Sequence, residues 1–194
     1  VYFAETYQPT RALLRRLLGR FGVASTMLSV TDHASIERTL AATPTKLVVF
    51  ESPTNPVLKI ADLERITGLA RAHGALTLLD NTLAGLHNHG QYDVDLYAHS
   101  LTKFASGHGD VMGGAVIGRR NLLDTMRADL TNLGPTLDPR EIDLIVVPAG
   151  RHRFVLGAAP GDLPTGYRDL VSELASYDGT LAGYATLRAS EMAC

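Results

Sequence analysis

The stretch Asp95-Leu-Tyr-Ala-His-Ser-Leu-Thr-Lys-Phe104 decides how this chain reads. A mostly apolar run ends in two hydroxyls and an amine, the pattern of a buried strand that delivers polar groups to the rim of a sheet. A lysine on such a rim contributes little to packing. It is well placed to hold a carbonyl cofactor as a Schiff base, with Ser100 and Thr102 at i and i+2 on one side of an extended chain to meet a phosphate. The plainer alternative is a strand-to-loop lysine that points into water.

Working outward, short apolar runs alternate with helical patterns. Lys46-Leu-Val-Val-Phe-Glu51, Ala75-Leu-Thr-Leu-Leu-Asp80, Asp95–Ser100 and Val111–Gly118 read as strands, as does Val23–Val30. Thr10–Phe21 places Leu13, Leu14, Leu17 and Leu18 on one helical face, with arginines mostly off it and Gly22 closing it. Asp32 caps a helix to about Ala42, with Ile36 and Leu40 inward. Ala61–His73 and Arg119–Leu133 have the same helical spacing. Between them, Ser52-Pro-Thr-Asn-Pro56 is a rigid loop. This alternation predicts an α/β fold, a mostly parallel sheet covered by helices on both faces. In such sheets functional residues lie beyond the carboxyl ends of strands. Those ends are Glu51 leading to Asn55, Asp80 with Asn81, and Ser100 to Lys103.

Composition narrows the function. The chain has 194 residues, 45% of them hydrophobic, and a formal net charge of -2. Near neutrality gives no electrostatic reason for a nucleic-acid or anionic-membrane partner. No apolar run is long enough to span a bilayer, and the single cysteine, Cys194, can form no internal disulfide, which favours a reducing cytoplasm.

An aromatic aldehyde carrying a phosphate arm makes specific demands. An ordinary lysine titrates near ~10.4, and burial lowers that by up to roughly 3–5 units, freeing the amine to condense. A pyridine nitrogen is kept protonated by a carboxylate opposite it, for which Asp80 is the candidate; a capping or turn role is the alternative. Asn55, between Pro53 and Pro56, can donate to a phenolic oxygen or serve as a turn residue. Ser100 and Thr102 supply hydroxyls for the phosphate.

Taken together, Glu51-Ser-Pro-Thr-Asn-Pro56, Asp80-Asn-Thr82, His99-Ser-Leu-Thr-Lys103 and Gly107-His-Gly-Asp-Val-Met-Gly-Gly114 resemble the Cys/Met-metabolism family of pyridoxal-phosphate enzymes. These are the transsulfuration enzymes, including cystathionine gamma-synthase, cystathionine lyases and methionine gamma-lyase. The resemblance runs from about Tyr7 to Pro139. It implies the aspartate-aminotransferase-like (fold type I) large domain, here incomplete, with pyridoxal 5'-phosphate as cofactor. Lys103 would bind the cofactor aldehyde, Asp80 its ring nitrogen, Asn55 its phenolic oxygen, and Ser100 and Thr102 its phosphate. Tyr7 would stack on the ring and assist proton transfer; without the family it reads as an aromatic staple at a helix start. The implied substrates are sulfur amino acids such as cystathionine, methionine or cysteine, or an O-acyl-homoserine. The implied reaction is beta- or gamma-elimination or gamma-replacement, in a homo-oligomer.

The resemblance also implies segments not present here: a phosphate-binding glycine turn and arm upstream, and a small domain with a carboxylate-binding arginine downstream. The chain therefore reads as a piece of something longer, with weaker cofactor affinity than a whole relative. Residues 1–140 form the expected cofactor-binding core. Residues 141–194 are expected to be irregular, and from about Val146-Val-Pro-Ala-Gly-Arg-His-Arg153 a shifted reading frame is expected. Two other readings compete. One is an inactive remnant or oligomerisation module. The other is a metal-dependent hydrolase built from His87, His89, His99, His108, Asp93, Asp95 and Asp110, although these lack the fixed helical spacing of a metal motif.

Overall fold

The computed structural model describes residues 1–86, 88–105, 112–133 and 153–156. The chain divides into two compact units, Val1–Ala84 with Asn88–Tyr97, and Gly85–His87 with Ala98–Cys194.

In the first unit, strands β1 (Tyr2–Phe3), β2 (Met27–Leu28), β3 (Leu47–Glu51) and β4 (Leu76–Asp80) lie in the order β2-β1-β3-β4. All of their pairings are parallel, with Tyr2 opposite Met27 and Val49, and Glu51 opposite Asp80. Val48, Val49 and Phe50 are successive and all buried, so β3 is covered on both faces, as a helix-flanked parallel sheet requires. Helix α1 (Gln8–Ala12) leads into a wide helical turn, Leu13–Leu17, and a tight one, Leu18–Phe21. Gly22, at φ 79°, closes it in the left-handed region that glycine adopts without strain.

Two longer helices supply the rest of this unit's core. The Asp32 carboxylate accepts from Ser35 N at 3.0 Å to start α2 (His33–Ala42), which buries Ile36 and Leu40. Asp62 does the same for Arg65 N, also at 3.0 Å, at the head of α3 (Leu63–Ala72), which buries Leu63, Ile66, Thr67 and Ala70. Ile36, Phe50, Ile66 and Leu79 are fully buried; each contributes about 1.5–3 kcal/mol by leaving water. A polar clasp lies within this core: Thr77 N and Oγ1 donate to Asp95 Oδ2 at 2.8 and 2.9 Å, and Asp95 N donates back to Thr77 Oγ1 at 3.0 Å.

Strand β5 (Leu96–Ser100) begins in the first unit and ends in the second. The second unit continues with a short helical segment, Leu101–Ala105, then β6 (Gly114–Gly118), α4 (Arg120–Leu133) and β7 (Arg153–Leu156). β6 and β7 are antiparallel, with Ala115 opposite Leu156 and Gly118 opposite Arg153. Leu101, Ala115, Ile117 and Leu123 are buried here. Gly114 lies close to β5, where an added Cβ would stand 3.7 Å from His99 O.

Several expectations need correction. Thr10–Phe21 is helical but not one regular α-helix, and its leucine face is not buried: Leu13 and Leu17 are each 47% exposed. Val23–Val30 yields only the two-residue β2, because β1, its partner, is itself two residues long. Ser100 and Thr102 do not share one side of an extended chain. The strand stops at Ser100, and Leu101–Ala105 turns helically with a break at Lys103, whose φ of -91° and ψ of -116° are non-helical. The expected irregular and frame-shifted tail falls outside the described residues apart from β7, as do His87, His108, Asp110 and most of the Gly107–Gly114 motif. Among the described residues, no helix is long and apolar enough to cross a membrane.

Candidate active site

In the first unit the polar residues gather at the carboxyl ends of β3 and β4, where parallel strands deliver them side by side. Glu51 closes an otherwise apolar strand and is 4% exposed. Its Oε2 accepts from Tyr7 N at 2.7 Å and its Oε1 from Asn55 N at 3.1 Å. One carboxylate therefore ties the start of α1 to the proline loop after β3. Burial pushes the Glu51 carboxyl up to about 7, the nearby Asp80 charge adds to the rise, and the two amide donors oppose it.

The loop holding Asn55 has defined local bonding. Both of its prolyl bonds, Ser52-Pro53 and Asn55-Pro56, are cis. Thr54 Oγ1 accepts from Lys59 N at 3.0 Å, Thr54 N donates to Lys59 O at 2.9 Å, and Ser52 Oγ accepts from Ala61 N at 3.2 Å. The side chains of Tyr7 and Asn55 are exposed, so their positions depend on how their backbones are anchored.

Asp80 is half-buried at the end of β4. Its Oδ1 accepts from Thr82 N at 3.1 Å and from Thr82 Oγ1 at 2.6 Å, while Oδ2 receives no hydrogen bond from the described residues. The turn role weighed for Asp80 is thus met by one oxygen. Asn81, next to it, is buried; its Nδ2 donates to Asn88 O at 2.9 Å, and its Oδ1 lies 2.7 Å from His89 Nδ1. Burial lowers the His89 pKa from the ordinary imidazole value.

In the second unit, Ser100 ends β5 half-buried, Thr102 is half-buried in the turn, and Lys103 is exposed at the break. Thr102 Oγ1 accepts from Gly113 N at 3.1 Å, and Leu101 N donates to Gly113 O at 2.9 Å, which fixes the turn against the glycine pair. The structure thus brings Tyr7, Asn55 and Asp80 together around Glu51 in the first unit, and Ser100, Thr102 and Lys103 together in the second.

Of the histidines and aspartates weighed as metal ligands, Asp93 pairs with Arg71, Asp95 with Thr77 and His89 with Asn81. Among the described residues no three such side chains gather. Sequence reasoning missed the roles of Glu51 and Thr82. The first left a signal, a lone charge ending the run Leu47-Val-Val-Phe50; the second is a hydroxyl two residues after an aspartate, the spacing of a local side-chain turn.

Acid, amide and hydroxyl groups thus follow parallel strands in the first unit, and hydroxyls with a lysine follow β5 in the second. The chain belongs to the Cys/Met metabolism PLP-dependent enzyme family, whose model matches residues 1–147, and its fold is the mostly parallel α/β architecture of the fold type I large domain in part. It is 40% identical over 138 residues to the canavanine gamma-lyase of Pseudomonas canavaninivorans, a match covering 69% of this chain and 34% of that protein. The crystal structure of cystathionine gamma-lyase from Lactobacillus plantarum, complexed with L-serine, superposes with a TM-score of 0.65 at 35% identity, covering 72% of this chain and 38% of that one. A solved chain from Campylobacter jejuni that carries N'-pyridoxyl-lysine-5'-monophosphate gives a TM-score of 0.58 at 36% identity, covering 63% of this chain and 30% of that one. This chain spans about a third of the length of the relatives it matches.

Proposed function

We propose that the protein is a pyridoxal-phosphate-dependent lyase or transferase acting on sulfur amino acids, cystathionine, methionine, cysteine or an O-acyl-homoserine, by beta- or gamma-elimination or gamma-replacement. The observation that carries this reading is the family match over residues 1–147, which includes every proposed site residue. The gamma-lyases among its relatives support elimination at the gamma position.

The residues present suit the cofactor. When bound, pyridoxal phosphate supplies an aldehyde that captures amines and a ring that draws electrons from the substrate alpha carbon. Lys103 would supply the amine that holds the aldehyde and would act as the base at the substrate alpha carbon. Asp80 would face the ring nitrogen, Asn55 the phenolic oxygen, and Ser100 and Thr102 the phosphate. Tyr7 would stack on the ring and assist proton transfer through its phenol. Residues 1–140 form the cofactor-binding core in this reading. Assembly as a homo-oligomer and a cytoplasmic location belong to the same proposal; the single cysteine supports the latter.

The test is to incubate the chain with pyridoxal phosphate and each candidate amino acid and to measure 2-oxo-acid release. Release that disappears in Lys103→Ala is expected. A chain that binds the cofactor yet releases no oxo acid, and joins no added thiol to an O-acyl-homoserine, contradicts the reading.

A further inference from the structure

We propose that Glu51 is a positioning residue: its carboxylate clamps the backbones of Tyr7 and Asn55 and so sets where their side chains meet the cofactor. This rests on the assignment of those two side chains to the cofactor site.

Three observations carry it. The two donors come from segments far apart in sequence, Tyr7 lying 44 residues from Glu51 and Asn55 only 4, yet both end on one side chain, each on its own oxygen. The acceptor is buried while the side chains it serves are exposed, so burial orders the clamp and the clamp orders the exposed groups. The third is a matter of chemistry. Two N–H donors facing one side chain need two acceptor oxygens, which only an ionised carboxylate offers in full. A glutamine would accept one N–H and turn its own NH₂ toward the other. A neutral acid would keep one strong acceptor.

Structural support alone does not require a charged group here, and the charge is held at a cost. The carboxyl lies opposite Asp80 in the strand register, and burial together with the Asp80 charge raises its pKa to about 7. Asp80 is the one ionisable side chain whose charge acts on Glu51 among the described residues. Retaining a carboxylate in that setting is explained by the two amides it receives.

The test reads amides rather than turnover, and so needs no cofactor. In the full chain, the Tyr7 and Asn55 amide resonances are followed by NMR between pH 5 and 9. Both are expected to shift with a shared midpoint near 7 as the clamp ionises, and both shifts are expected to vanish in Glu51→Gln. At pH 8 that variant is also expected to exchange one of the two amides about tenfold faster or more, the effect of losing one charge-assisted hydrogen bond. With pyridoxal phosphate added, Glu51→Gln is expected to bind it several-fold more weakly while the lysine attachment persists. Wild-type amides that stay flat across the range would overturn the proposal without reference to any variant. Equal exchange of both amides in wild type and Glu51→Gln would overturn it as well. Failure of cofactor attachment to Lys103 in the wild type would instead sink the functional reading and leave the amide result standing.

Discussion

The raised Glu51 carboxyl has a consequence for stability that can be worked through with its sign. Its pKa in the fold is about 7, against an ordinary value of 4.5. Between those values the folded chain holds a proton that the unfolded chain has lost, so stability falls as pH rises through the window. At full slope the loss is about 1.4 kcal/mol per pH unit. Across the window it amounts to roughly 2–3 kcal/mol once solvent near the strand end is allowed for. Glu51→Gln removes the titration and keeps the shape. Urea denaturation of both proteins at half-unit steps from pH 4.5 to 8 measures the difference. The wild type should lose about 2–3 kcal/mol relative to the variant between pH 4.5 and 7, and the difference should level off above about 8. A difference that is flat, or that moves in favour of the wild type as pH rises, would refute the assigned burial and charge environment.

Two further expectations concern the scaffold. Thr77→Val keeps the side-chain volume but removes both hydroxyl bonds to Asp95; a cost of about 2–3 kcal/mol is expected in chemical denaturation, and a change under 0.5 would contradict the clasp. Asp62→Ala removes the cap on Arg65 N and should cost about 1 kcal/mol, visible as a lower denaturation midpoint, whereas an unchanged midpoint would mean the cap is not formed in solution.

What the sequence revealed, and what it hid, follows from range of interaction. β3 was legible to within a residue because a strand covered on both faces is an unbroken apolar run, and β4 because its leucines flank a single threonine. The caps at Asp32 and Asp62 are local: the first was read directly, and the second shifts the expected helix start by two residues. β1 was illegible, since two residues carry no period; only its pairing with Met27–Leu28 and Val49 makes it a strand. The Leu13 and Leu17 face looked like core by spacing, but periodicity reports which residues share a face and not whether anything covers it.

The candidate site divides along the same line. Asn55, Asp80 and Lys103 were visible as polar residues ending apolar runs. The turn at Thr102 was not, because the bonds that fix it reach across to Gly113, eleven residues on. Glu51 was visible only as a charge at a strand end. Its partner Tyr7 is 44 residues earlier, and the parallel register that brings Tyr2 beside Val49 is what delivers it.

The most direct test of the account mixes the chain with pyridoxal phosphate, reduces with borohydride and maps the modified peptide. The account predicts one stoichiometric label, on Lys103, lost in Lys103→Ala and weakened in Asp80→Ala. A label on another lysine, or none at saturating cofactor with the chain folded, would contradict it.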